Sequence, residues 1–108
     1  MGPEKIFENK VKRFIEDHGG WQVKFFANSY TRTGIPDILA CINGYFVGIE
    51  VKAQNGTPSL LQERCCADIR KAGGFAFILY PSGFDDFKLF VHGLNCDRFN
   101  KEMPLILK

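Results

Sequence analysis

The sequence lacks a hydrophobic run approaching the roughly 18–20 apolar residues that a membrane-spanning helix requires. Its first residues are charged and contain no apolar signal-peptide core, so a cytoplasmic protein without a membrane partner is expected. Its cysteines show no Cys-x-x-Cys spacing, which argues against both a zinc site and a disulfide framework. Buried, reduced thiols are predicted instead.

An excess of charge of one sign is also missing. Lysine and arginine number 14 against 12 aspartates and glutamates, and a net charge of +2 does not by itself indicate a nucleic-acid partner. The hydrophobic fraction of 45% and the 11 phenylalanines are enough to build a core without disulfides. The length of 108 residues therefore predicts a single domain spanning 1–108.

Hydrophobic periodicity and turn residues divide the chain into helices and strands. In chain order, the pattern predicts a helix over 4–18, a strand over 21–27, a loop over 28–36, strands over 37–42 and 45–53, a helix over 59–71, and strands over 75–80 and 87–91. The apolar tail over 104–107 fits either an extra strand or a dimer contact. The fold class expected is α/β (α+β), a mixed β-sheet that is flanked by helices and covered on both faces.

The dipeptide Asn43-Gly44 joins two of these strands and is typical of a tight hairpin, since a type I′ turn needs positive φ at both central positions. A two-residue turn at this point, continued without a bulge, places Asp37 opposite Glu50. Their Cβ atoms are then about 4.5–5.5 Å apart on one face of the sheet. Lys52, two residues beyond Glu50, faces the same side.

Such a pair of carboxylates has a specific chemical consequence. At about 5 Å, two like charges repel by roughly 3 kcal/mol at an effective dielectric constant of about 20, so the pair requires a proton on one carboxyl group or a cation between them. Hard oxygen ligands with positions left for water are typical of Mg²⁺ or Mn²⁺, and such an ion beside Lys52 favours phosphodiester hydrolysis. The spacing fits a plainer interpretation equally well: Asp37 ends a loop, and Glu50 and Lys52 form an exposed pair at a strand edge.

Three short strings resemble those of a known family. Gly-Ile-Pro-Asp ending at Asp37, followed by Gly-Ile-Glu-Val-Lys ending at Lys52, resembles the signature of the PD-(D/E)xK nuclease superfamily. Ser59-x-x-Gln62 resembles the VRR-NUC and phage-type Holliday-junction-resolvase branch, and the similarity runs over 8–79. The resemblance implies a restriction-endonuclease-like core, a Mg²⁺ or Mn²⁺ cofactor, cleavage of branched or duplex DNA, and a homodimer in a bacterial or phage-infected cell.

The resemblance also implies roles for residues of the hairpin. Asp37 and Glu50 match the metal-binding carboxylates of the family's pattern. The backbone carbonyl of Val51 matches the usual third protein ligand. Lys52 matches the catalytic lysine, which can orient or deprotonate the attacking water or stabilise the transition state.

An acidic residue on the first helix commonly completes the site in this family. Glu8 is the better match, because it precedes the apolar stripe of the helix at the expected distance, and it is expected to act as a catalytic and metal-binding residue. Glu4 lies one helical turn away and remains open. The alternative for both is a surface acid that the helix macrodipole favours near a helix N-terminus.

Gln62 has two competing interpretations, as an active-site residue near a phosphate or as the partner of Ser59 in a capping box. Ser59, Lys24 and Arg32 are expected to contact DNA, the last two by binding phosphates without reading sequence. Solvated side chains are the alternative for both basic residues. Phe25 and Phe26 are predicted to lie in the core, beside a polar loop over 28–33 that could approach the DNA backbone.

The sequence thus predicts a Mg²⁺- or Mn²⁺-dependent endodeoxyribonuclease, specific for Holliday junctions or other branched DNA. A non-catalytic DNA-binding module with the same fold is the main alternative, and it predicts at least one broken signature position. A nuclease acting on RNA or another nucleic acid is the second alternative. A homodimer is expected because two symmetric cuts across a junction need two active sites, and one domain supplies one.

Overall fold

Five strands form one mixed sheet in the described part of the chain, residues 1–97 and 104–108 of this computed structural model. The strands are β1 (Trp21–Lys24), β2 (Ile38–Ile42), β3 (Tyr45–Val51), β4 (Phe75–Leu79) and β5 (Ile106–Leu107), and they lie side by side in that order. β2 is antiparallel to both β1 and β3, and β4 is parallel to both β3 and β5. In the same residues, three helices are formed: α1 (Pro3–Asp17), α2 (Leu60–Lys71) and α3 (Phe84–Asn95). The predicted α+β class, a mixed sheet flanked by helices, is confirmed.

The β2–β3 hairpin has the predicted turn and register. Asn43 and Gly44 have φ values of 49° and 86°, as a type I′ turn requires. Pairing continues without a bulge to the far end of β2, where Ile38 lies opposite Ile49. Asp37 and Glu50 are the next residues along the two chain segments beyond this last pair.

The helices cover the two faces of the sheet unequally. α1 and α3 pack on one face, where residues such as Val11, Ile38 and Phe87 form the larger core. α2 packs on the other face against β4, around Cys66 and Ile78. The expectation of a sheet covered on both faces is therefore only partly correct, because the outer face at β1 stays open to solvent and exposes Trp21, Val23 and Phe46.

The strand predicted over 87–91 is wrong, because these residues lie inside α3. Phe87, Val91 and Leu94 are fully buried and recur at the spacing of one helix face, which packs on the sheet. The first predicted strand is also too long: β1 ends at Lys24, although the next residue still bonds to the neighbouring chain segment.

The apolar tail forms an extra strand, as one of the two alternatives predicted. β5 lies parallel to β4 and buries Leu107 in the larger core. The prediction of buried thiols is wrong for most of the cysteines: all are free, but Cys66 alone is buried, Cys65 is half-buried, and Cys41 and Cys96 are exposed. None of the helices in residues 1–97 and 104–108 has the length and apolar character needed to cross a bilayer.

Candidate active site

Two acidic residues meet at the open end of the β2–β3 hairpin. Asp37 immediately precedes β2, and its backbone carbonyl accepts a hydrogen bond from the Phe25 N–H at 2.8 Å. Its side-chain Oδ2 accepts another from the Val51 N–H at 3.1 Å, which fixes the carboxylate beside β3. Glu50 lies within β3, is only 3% exposed, and is close enough for the charge of Asp37 to raise the pKa of Glu50. The two carboxyl groups are therefore neighbours, as the hairpin register predicts.

One oxygen of Glu50 has partners and the other has none among the described residues. Oε2 lies 3.6 Å from the Nζ of Lys52 and accepts a hydrogen bond from the Nε2 of Gln62 at 3.0 Å. Oε1 is buried and finds no hydrogen-bond partner in that part of the chain. A buried carboxylate oxygen without a partner is costly, and a bound cation is one way of satisfying it.

The electrostatics of Glu50 agree with this geometry. Burial raises its pKa most, the negative charge of Asp37 raises it further, and Lys52 lowers it, with a net result of about 8. Glu50 therefore holds a proton at neutral pH when no cation is bound. A divalent ion bound by Glu50 would have to displace that proton, so metal binding there would depend on pH.

Gln62 fills both of the roles that the sequence presents as competitors. Its Oε1 accepts a hydrogen bond from the Ser59 N–H at 2.9 Å, and its own N–H donates to the Ser59 Oγ at 3.1 Å, which completes the capping box of α2. Its remaining polar atom, Nε2, donates to Glu50. The cap therefore orients Gln62, and the amide is left pointing at the acidic pair.

Glu8 of α1 lies close to this centre and is only 4% exposed. Its Oε1 is 2.6 Å from the Nζ of Lys24, and its Oε2 is 2.8 Å from Lys5 and 3.4 Å from Lys12. Burial raises the pKa of Glu8, but the hydrogen bonds from Lys24 and Lys5 outweigh it and lower the pKa to about 2. Glu4 instead accepts a hydrogen bond from the Ala53 N–H at 3.3 Å. Of the two acids considered on this helix, Glu8 is the one joined to the site.

Lys24 joins Glu8 to the acidic pair. Its Nζ lies 3.6 Å from the Oδ1 of Asp37 as well as 2.6 Å from Glu8. Burial lowers the pKa of Lys24, but Glu8 and Asp37 together raise it above its usual value, so the ammonium is charged. β1 positions this side chain, because Lys24 pairs with Ile38 at the start of β2.

Hard oxygen ligands at the site suit Mg²⁺ or Mn²⁺. In residues 1–97 and 104–108, no three His, Cys, Asp or Glu side chains come together as a metal-binding group. An ion here would therefore take two side-chain carboxylates, Asp37 and Glu50, and complete its shell with the Val51 carbonyl and water. Mg²⁺ binds in this way, since it keeps several of its waters and needs few protein ligands.

The remaining predicted DNA contacts are Arg32, in the loop before Asp37, and Ser59, before α2. Arg32 is exposed, and Ser59 caps α2 beside Gln62. The prediction that Phe26 lies in the core is wrong. Its side chain is 74% exposed, and the Nζ of Lys24 lies 6.0 Å from the centre of its ring. Tyr30, in the polar loop, is 97% exposed. The site thus has one exposed aromatic ring, that of Phe26, beside Lys24, and a second exposed ring lies in the loop that follows.

Sequence reasoning missed two contributors to the site, Lys5 and Lys12. Both contact the carboxylate of Glu8. Their positions three residues before and four residues after Glu8 are the available signal, because those spacings bring side chains together on a helix. The chain matches no protein-family model and no curated protein, so the assignment of the site rests on its geometry.

Proposed function

We propose that this protein is a divalent-metal-dependent endodeoxyribonuclease with a restriction-endonuclease-like core, related to the VRR-NUC branch of the PD-(D/E)xK superfamily. One observation supports this most: Asp37 and Glu50 are opposed, Lys52 lies beside them, and the Oε1 of Glu50 is buried without a partner among the described residues. An ion pair that only stabilised the fold would need one carboxylate beside Lys52, and it would not need Asp37 and Glu50 next to each other. A divalent ion accounts for both carboxylates and for the unsatisfied oxygen.

The residues of the site divide the work of phosphodiester hydrolysis. A Mg²⁺ or Mn²⁺ ion held by Asp37, Glu50 and the Val51 carbonyl would stabilise charge on the phosphate and activate a water molecule. Lys52 places a positive charge next to Glu50, where it orients the attacking water or stabilises the transition state. Gln62 holds Glu50 in position from α2.

Branched DNA is the substrate that the surroundings of the site favour. Exposed aromatic rings stack on unpaired bases regardless of sequence. Phe26 offers such a ring 6.0 Å from the Nζ of Lys24, and Tyr30, in the polar loop that follows, is 97% exposed. Lys24 and Arg32 are available for phosphates, which position DNA without reading bases. Unpaired bases occur at junctions, forks and flaps, so cleavage near such structures is expected, and a homodimer would supply the two active sites that paired cuts need.

Two other functions remain as alternatives to be tested. A non-catalytic DNA-binding module would need no complete acid–acid–lysine set, and here Asp37, Glu50 and Lys52 are all present and adjacent. A nuclease acting on RNA would use the same site. Both alternatives predict assay results different from those of a structure-specific DNA endonuclease.

The test is cleavage of a substrate panel by the full chain. Linear duplex, flap, fork and four-way junction, with a single-stranded RNA of matched length, are incubated at one salt concentration with Mg²⁺, Mn²⁺ or EDTA. Asp37→Asn and Lys52→Ala should abolish cleavage, whereas Asp17→Asn, an exposed acid at the end of α1, should retain it. Cleavage that survives in both site variants, or the lack of any cleavage by the wild type, refutes the proposal.

A further inference from the structure

The position of Lys24 limits how many metal ions the site can take. Its Nζ lies between two carboxylates, 2.6 Å from the Oε1 of Glu8 and 3.6 Å from the Oδ1 of Asp37. An ion that bridged Glu8 and Asp37 would have to occupy this same space. The β1–β2 register fixes the lysine backbone there, because Lys24 is paired with Ile38, next to Asp37 in the chain.

Glu8 is already satisfied by other cations. Its second oxygen accepts from Lys5 at 2.8 Å and lies 3.4 Å from Lys12, so three ammonium groups surround one carboxylate. A divalent ion placed there would be repelled by all three. Among the described residues, the carboxylate oxygen of the site that is buried without a partner belongs to Glu50 and not to Glu8.

We infer that the site binds one divalent ion, at Asp37 and Glu50, and that the ammonium group of Lys24 replaces a second ion between Asp37 and Glu8. Lys24 then presents a fixed positive charge to the phosphate, and Glu8 is a positioning residue that holds Lys24 and binds no metal. This inference rests on the proposed function. It differs from the expectation that Glu8 is itself a metal ligand.

The proposed role agrees with the chemistry of a lysine side chain. An ammonium group has three N–H donors, and the contacts to Glu8 and Asp37 leave one for an incoming phosphate oxygen. The side chain is 21% exposed, so a phosphate can reach it. Its charge is permanent at neutral pH, and it needs no dissolved ion to be present.

The test counts metal ions without relying on activity. The full chain is titrated with Mn²⁺ in the absence of DNA, and free Mn²⁺ is measured by electron paramagnetic resonance. The wild type should bind one Mn²⁺ per chain. Glu8→Gln should also bind one, with an affinity within about threefold of the wild type, whereas Asp37→Asn should lose roughly tenfold or more, because one of the two charged ligands becomes neutral.

Lys24 is tested in the same titration and in DNA nicking. Lys24→Met should bind Mn²⁺ as tightly as the wild type or more tightly, because a neighbouring positive charge is gone, yet nick DNA at least tenfold more slowly. Lys24→Arg should recover part of the nicking rate. The control is Lys71→Met, at the far end of α2, which should nick DNA at the wild-type rate. A purely structural lysine would lower Mn²⁺ affinity when replaced by Met, and that result overturns the inference.

The outcomes separate this inference from the proposed function. Two Mn²⁺ per wild-type chain, or loss of Mn²⁺ binding in Glu8→Gln while its circular dichroism is native, overturns the single-ion site and leaves a metal-dependent nuclease intact. No Mn²⁺ binding by the wild type at millimolar concentration overturns both. If Glu8→Gln fails to fold, the wild-type count and the Lys24→Met titration still decide the question.

Discussion

The Nε2 of Gln62 donates a hydrogen bond to the Oε2 of Glu50 at 3.0 Å, and the Oε1 of the same glutamine caps α2. The first turn of a helix is thereby tied to the buried carboxylate of a strand. A residue that looks like an ordinary capping partner in the sequence helps to orient the acid on which the proposed chemistry depends.

Gln62→Glu tests this link with the cap preserved, since glutamate also serves in a capping box. The variant replaces a donor to Glu50 by an acidic group, which should raise the pKa of Glu50 further. We expect the acid limb of the pH–rate profile for Mn²⁺-dependent nicking to move to higher pH. Gln62→Ala also loses the side-chain half of the capping box, the hydrogen bond from the Ser59 N–H, while the Ser59 Oγ keeps its backbone donor. It should in addition cost about 1 kcal/mol of folding stability. An unchanged profile for Gln62→Glu would show that the contact does not tune the site.

Glu50 should make the metal-free protein less stable at high pH. Its pKa in the folded chain is about 8 against an ordinary 4.5, so the folded state binds more protons between these values. The stability associated with its proton is complete below the ordinary pKa and is lost as the pH rises through the folded one. Urea denaturation in EDTA should therefore show Glu50→Gln more stable than the wild type at pH 9, by a few kcal/mol, and similar to it at pH 5.

Mn²⁺ should reverse that order. In the proposed site the ion binds the folded state with Glu50 ionised, so saturating Mn²⁺ should stabilise the wild type at pH 8 and leave Glu50→Gln unchanged. The matched control is Glu63→Gln, which neutralises an acid on the first turn of α2 and should respond to Mn²⁺ like the wild type. Equal stabilisation of all three proteins by Mn²⁺ would place the ion elsewhere.

Phe26 and Tyr30 should matter for DNA with unpaired bases and little for duplex DNA. Stacking of a base on an aromatic ring is worth roughly 1–3 kcal/mol, so Phe26→Ala and Tyr30→Ala should each weaken binding to forks by about fivefold or more. Fluorescence anisotropy in EDTA measures this without cleavage. Leu89→Ala, an exposed apolar residue of α3, is the control. The role in stacking is disproved if duplex and fork binding fall equally, or if neither changes.

The open face of the sheet should form the homodimer contact. Trp21 and Phe46 are exposed and both share a row with Cys41, so this part of the sheet presents a row of uncharged side chains with two exposed aromatic rings. Light scattering should give twice the chain mass of 12.3 kDa for the wild type and the chain mass for Trp21→Glu. Leu89→Glu should remain dimeric. A monomeric wild type that still cuts junctions would contradict the expected dimer.

The hairpin and its acidic pair are predictable from sequence because two independent rules agree. The Asn43-Gly44 turn fixes the register, and the strand period of two then determines which side chains oppose each other. No comparable rule determines the surroundings of Glu8. The contact between Glu8 and Lys24 joins residues sixteen positions apart, and it depends on how α1 packs on β1.

The errors have equally specific causes. An apolar run as short as 87–91 does not distinguish a buried strand from a helix face, and here Leu94 continues the pattern at helical spacing. Phe26 was expected in the core on hydrophobicity alone, but β1 ends at Lys24, and beyond the strand the ring has no core to enter. In both cases tertiary packing, which the local pattern does not contain, determines the outcome.

The most direct test is to locate the divalent ion in the folded protein. A crystal of the full chain grown with Mn²⁺ and measured at the manganese absorption edge would locate the ion by its anomalous signal. The account predicts one peak within coordination distance of both Asp37 and Glu50, with Lys24 still against Glu8. A manganese peak that touches neither carboxylate, or none at a concentration that supports cleavage, would contradict it.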